Sequence, residues 1–156
     1  MDIEPKSIQY EDLKNDIHIE IGSQYDGDFL KSVGEKYQEF DMILDDGSHL
    51  NHHVIFTFKE MFKYVKPQGI YVVEDTCTSY WEDYGGGIDN PDSSMNYFKK
   101  LADDVNFRGV LNMNKSNVHA RREDWLTNLS HDVQPDCITD IESINFLNGI
   151  IIITKR

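Results

Sequence analysis

Two short apolar runs that end in carboxylates constrain this chain more than any other feature: "DMILDDGSH" from Asp41 to His49 and "IYVVED" from Ile70 to Asp75. A brief, continuous apolar run is the pattern of a strand buried on both faces, as in parallel sheets covered by helices. Between the two, "NHHVIFTFKEMFKYV" sets Val54, Ile55, Phe58, Met61, Phe62 and Val65 at offsets of three and four, the spacing of one helical face. "KPQG" closes that helix. Strand, helix and strand in this order make a βαβ unit, whose two strands run parallel and are usually neighbours.

The rest of the chain extends the same α/β plan. "IHIEI" from Ile17 to Ile21 alternates as a strand does, "GSQYDGD" reads as a turn, and Phe29, Leu30, Val33 and Tyr37 fall at helical spacing. Beyond Trp81, "EDYGGGIDNPDSS" is a loop, and Met95, Phe98, Leu101, Ala102 and Val105 predict a helix capped by Asp92 or Ser93. A short helix is expected around "REDWLTNL". At the end, "SINFL", "NG" and "IIIITK" predict an antiparallel hairpin turned by Asn148-Gly149, with the type I′ turn that this pair favours. At 156 residues the chain suits a single domain, 1–156.

A formal net charge of −13 argues against tracking nucleic-acid phosphates, which needs Lys and Arg to replace condensed counterions. The one basic cluster, "HARRED" from His119 to Asp124, reads as a solvated helix start. Cys77 and Cys137 lie far apart without CxxC spacing, so neither a disulfide framework nor a zinc knuckle is indicated. No run approaches the roughly 18 apolar residues of a membrane span, and "MDIEPKSIQYEDLK" has no apolar signal core. A cytoplasmic location and no membrane partner are expected.

In an open parallel sheet, ligands bind outside the carboxyl ends of the strands. Asp45 and Asp46 close one strand and Glu74 and Asp75 the next, on strands about 4.8 Å apart if paired. Carboxylates so close repel unless one is protonated or a cation joins them. Oxygen ligation with open positions suits a hard divalent ion, magnesium above all. Asp46, Glu74 and Asp75 are the expected ligands, with Asp45 fixing the loop on the cofactor side; spacing alone does not decide which aspartate of the first pair faces the metal. His49 lies just beyond, where an imidazole could take a proton from a metal-bound hydroxyl near neutrality. A rival grouping, Asp46, His49 and His53 around iron, competes with the plain expectation of polar residues where a helix begins.

The stretch "FDMILDDGSHLNHHVIFTFKEMFKYVKPQGIYVVEDTCTSYW" resembles the core of class I S-adenosylmethionine-dependent methyltransferases of the macrocin and mycinamicin sugar O-methyltransferase type. "SINFLNGIIIITK" is similar to that family's last two strands. The resemblance implies a Rossmann-like methyltransferase fold, mostly parallel, with a C-terminal antiparallel hairpin. It implies methyl transfer from S-adenosylmethionine to a hydroxyl of a sugar-bearing small molecule. Asp46, Glu74 and Asp75 would hold Mg2+ and His49 would be the base. It further implies that Asp2, ending the family's second strand, bonds the cofactor's ribose, and that Ser23, Gln24 and Asp26 flank its adenine. The family's earlier strand and glycine-rich turn have no counterpart before Asp2, and "GGG" at Gly85–Gly87 lies in a loop. The expectation is therefore a domain truncated at its N-terminus. Its sheet lacks a strand between "IHIEI" and "DMIL", a gap to be met by rearrangement or by forming a homo-oligomer. The alternative is a non-catalytic binding or subunit module. Tyr80 and Trp81 could pack on a sugar or belong to the core.

Overall fold

The computed structural model describes residues 1–112 and 140–156. The helix expected at "REDWLTNL", the "HARRED" cluster and Cys137 lie outside the described residues.

Among the described residues, four strands form one sheet in the order β1-β2-β4-β3: β1 is Phe40–Asp45, β2 Val65–Val73, β3 Ile141–Leu147 and β4 Ile150–Lys155. β1 and β2 pair in parallel, with Met42 opposite Ile70 and Asp45 opposite Val73. β4 runs antiparallel to β2 and to β3. Among the described residues, three α-helices accompany the sheet: α1, Gly27–Tyr37; α2, Asn51–Met61; and α3, Ser94–Asn112. α1 opens on Asp26, whose side chain accepts from the amides of Asp28 and Phe29, which satisfies donors that a helix start leaves free. At the start of α3, the Ser93 hydroxyl accepts from the Asn96 amide.

One face of the sheet carries the core. Ile43, Tyr71, Val73, Ile151 and Ile153 pack with Leu30 and Val33 of α1, Phe58 and Met61 of α2, and Phe98 and Leu101 of α3. The helical faces read from sequence are the buried ones because burying such a stripe removes apolar area from water, worth roughly 25 cal/mol per Å². On the other face, Met42, Leu44 and Leu147 are exposed.

Three local expectations change. β2 starts at Val65, before "KPQG", because Val65 pairs with Phe40 across an irregularity in the β1 ladder. The "NG" hairpin forms with a two-residue loop, but only Gly149 takes a positive φ, of 76°, the pattern of a type II turn rather than type I′. Residues 17–21 do not form a strand. They make two isolated bridges, Asp2 with Ile21 and Asp12 with Ile17, and Ile17 and Ile21 stay exposed. Alternation gives a strand only where a neighbouring backbone extends the ladder, and two bridges do not.

Candidate active site

The carboxyl ends of β1 and β2 lie side by side, and the amide of Glu74 donates to the carbonyl of Asp45 at 3.0 Å. Beyond these ends the side chains of Asp46, His49 and Asp75 converge. His49 Nε2 is 3.8 Å from an Asp46 carboxylate oxygen and 3.7 Å from one of Asp75. Among the described residues, these three form the one group of His, Cys, Asp or Glu whose ligand atoms all lie within 4.8 Å of one another. Glu74, half-buried at the end of β2, is outside that group, and so is His53. His53 stacks on Tyr25 at 4.4 Å between ring centroids and bonds the Ser48 hydroxyl through Nδ1 at 2.8 Å.

The backbone is left-handed at two of the three positions, with φ of 58° at His49 and 49° at Asp75. Such conformations cost non-glycine residues on the order of 1–3 kcal/mol each and persist where surrounding contacts impose them. The two strained residues are those that turn His49 and the Asp75 carboxylate toward each other.

Asp45 and Asp46 are adjacent and have opposite environments. Asp45 faces the core at 7% exposure. It accepts from the Tyr71 hydroxyl and from Gln24 Nε2, each at 3.2 Å. Burial raises its pKa to about 6, against those two hydrogen bonds, which pull it down. Asp46 points to solvent in the convergent group. Gln24 also donates to Thr57 Oγ1 at 3.0 Å and accepts from the Ser48 amide, so it fastens the loop between Asp46 and His49 to the fold. A Cβ at Gly47 would meet the Gln24 amide, which would then have to move off its contacts.

A cavity of about 400 Å³ opens between the N-terminal segment and the end of β1, with Asp2, Ser23, Gln24, Asp45, Asp46 and His53 in its lining. Four of the five residues assigned to the cofactor from sequence therefore share one cavity. The fifth, Asp26, caps α1 and is not in the lining. The Asp2 carboxylate accepts from the Glu4 amide at 2.8 Å and the Ser7 hydroxyl at 2.7 Å, and these bonds hold its pKa below the usual carboxylate value. Ser23 Oγ accepts from the Tyr25 amide.

Sequence reasoning missed Asn51 and Tyr71. Asn51 had a legible signal: with Val54, Phe58 and Met61 it shares the i, i+3, i+7, i+10 face of α2, a polar residue on the apolar stripe. Tyr71 shows only a phenol in an apolar run. Tyr80 and Trp81, read from sequence as core or sugar-facing, are 43% and 52% exposed; the core placement does not hold, because the 3-10 turn at Thr76–Tyr80 directs them outward.

A mixed α/β sheet with strand-end acids beside a cleft fits part of a Rossmann-like fold, and the solved structures that it matches are those of a methyltransferase. The MycE methyltransferase of the mycinamycin biosynthetic pathway, in complex with Mg and SAH, matches 99% of this chain and 36% of its own at a TM-score of 0.76 and 27% identity. A complex of the same enzyme with Mg, SAH and mycinamycin VI matches at a TM-score of 0.75, over 35% of its chain. Among curated proteins, mycinamicin VI 2''-O-methyltransferase of Micromonospora griseorubida is 40% identical over 87 residues, 54% of this chain and 22% of its own. Demethylmacrocin O-methyltransferase of Streptomyces fradiae is 38% identical over 108 residues, 67% of this chain and 27% of its own. Over these stretches the chain is similar to the macrocin and mycinamicin-type sugar O-methyltransferases. It spans about a quarter of the length of these two relatives (22% and 27%). No protein-family model matches it.

Proposed function

We propose that this chain carries the metal and proton-transfer portion of an S-adenosylmethionine-dependent O-methyltransferase that acts on a hydroxyl of a sugar-bearing small molecule. The observation that carries this is the convergence of Asp46, His49 and Asp75 at two strand ends. Two carboxylate oxygens within 4.8 Å of each other are compatible with one small cation, since oxygens on opposite sides of Mg2+ are about 4.2 Å apart at Mg–O distances near 2.1 Å. Asp46 and Asp75 would hold the ion, with Glu74 as the third carboxylate from the end of β2. When bound, the ion lowers the pKa of a coordinated hydroxyl.

The chain's own groups account for the rest. His49 Nε2 stands between the two aspartates, where it can accept the hydroxyl proton, and the flanking carboxylates attract the positive charge it then gains. The Gln24 contacts and the left-handed turn at His49 hold the imidazole in place, so little reorganisation is needed as charge develops. The cavity beside Asp2 would take S-adenosylmethionine. Asp2 offers carboxylate acceptors to ribose hydroxyls, with Ser23 nearby. β1 is an edge strand among the described residues with Met42 and Leu44 exposed, which supports a homo-oligomer; sedimentation as a monomer at working concentration would dismiss it.

The test is calorimetry with Mg2+ and S-adenosylmethionine, together and apart. Cation binding that disappears in Asp46→Ala with Asp75→Ala, and cofactor binding that weakens in Asp2→Ala, are expected. Cation affinity that survives the double substitution refutes the ligand assignment. A second reading, a non-catalytic binding or subunit module, draws on the internal hydrogen bonds that already occupy Gln24, Asp45 and Asp26. Folded protein that binds Mg2+ but not S-adenosylmethionine would favour it.

A further inference from the structure

We propose that Asn51 is a positioning residue that locks the loop following Asp75 to the helix following His49, and so sets the spacing between the two halves of the cation site. The inference rests on the cation reading above for its consequence, but the lock itself stands on the geometry.

Asn51 is 1% exposed, and its amide uses its full hydrogen-bonding capacity of two donors and two acceptor lone pairs. Nδ2 donates to the carbonyls of Thr78 at 3.3 Å and Tyr84 at 2.9 Å. Oδ1 accepts from the Ser94 amide at 2.6 Å and the Ser94 hydroxyl at 2.9 Å. Because that hydroxyl hydrogen is committed to Asn51, the buried Ser79 hydroxyl is the donor in its 2.7 Å contact with Ser94.

These bonds close a short circuit around the site. His49 lies two residues before Asn51, which holds the Thr78 carbonyl. The Thr78 amide and hydroxyl in turn donate to the Asp75 carbonyl at 3.0 and 2.9 Å. Asp75 and His49 are the two residues held left-handed, and without the circuit each could relax to an ordinary conformation and turn its side chain away. No other side chain in the described hydrogen bonds joins α2 to both the 76–84 loop and the start of α3. Close, buried amide bonds of this kind are costly to leave unmade, so the arrangement is held firmly.

The test compares Asn51→Ala with Ile153→Val, a buried change on β4 away from the site, each studied well below its melting temperature. Hydrogen–deuterium exchange is read across the chain, and Mg2+ affinity is measured by calorimetry. In Asn51→Ala, exchange should rise in residues 74–87 while β2 and β4 stay protected, and Mg2+ affinity should fall by about tenfold or more, the usual effect of losing a group that orients metal ligands. Ile153→Val should leave Mg2+ affinity unchanged and should not raise exchange in residues 74–87 selectively. If Asn51→Ala does not fold, Ser94→Ala removes one bond to Oδ1 and should give a smaller loss in the same direction. Unchanged Mg2+ affinity in a folded Asn51→Ala protein, or exchange that rises evenly through the sheet, overturns the proposal. If the unsubstituted protein binds no Mg2+, the cation reading fails instead, and the exchange pattern alone decides whether Asn51 locks the loop.

Discussion

The two sides of β1 are built differently. Toward β2 and β4, strands pair over several residues, the core closes over Tyr71 and Phe58, and the acids of two strand ends meet on hydrogen-bonded loops. Toward the N-terminal segment there is a cavity and two isolated bridges. Met1, Ile3, Ile8, Tyr10, Leu13, Ile17 and Ile21 are all exposed there. Both sides have apolar residues. The difference is that one side has a ladder and a helical layer to bury them against, and burial needs a partner surface as well as a hydrophobic pattern.

The largest effect should come from the built side. Phe58 has no exposed surface and touches the rings of Phe62, Tyr71, Tyr97 and Phe98. Phe58→Ala should cost about 3–5 kcal/mol in denaturant unfolding. A loss below about 1 kcal/mol would show that the core on this side of β1 is not closely packed.

Next comes the buried carboxyl under the site. The pKa of Asp45 in the folded protein is raised to about 6 by burial, so between about pH 4 and 6 this carboxyl holds its proton more fully in the folded state than in the unfolded state. The Asp45 contribution to stability should therefore fall as pH rises through that window and level off above it. With metal removed by chelator, Asp45→Asn should remove this contribution to the slope and, at pH 7, the destabilisation it causes, on the order of 3 kcal/mol. A pH dependence that persists in Asp45→Asn would assign it to another group.

The smallest effect belongs to the other side. Asp2 is exposed and its hydrogen bonds are local, so Asp2→Ala should change unfolding free energy by less than about 0.5 kcal/mol. Its effect should appear in S-adenosylmethionine affinity. A large loss of stability from this substitution would show that the N-terminal segment is integral to the fold.

Much of the site was legible because strand ends and helix faces are written in local periodicity. "DMILDD" and "YVVED" stop where their apolar runs stop, and the offsets of Val54, Phe58 and Met61 mark the face of α2 that is buried. Those patterns placed the acids and His49 near one another. They did not separate Asp45 from Asp46, since neighbouring residues on a strand end face opposite ways and only the position of Tyr71 decides which is covered. They also overread Ile17–Ile21, where alternation met no ladder, and they did not show that the Asp26 carboxylate would cap the start of α1.

The order of the helices and of the four paired strands, the hairpin at Asn148-Gly149 and the acids at the ends of β1 and β2 were readable in the chain. All of these follow from residues near one another in the chain. Tertiary structure alone decided that His49 sits between Asp46 and Asp75, that Gln24 braces the loop from 24 residues before Ser48, and that Asn51 reaches Ser94 across 43 residues. Those contacts are hydrogen bonds between groups brought together by packing of the core, and no local pattern specifies which distant partner a polar side chain will meet.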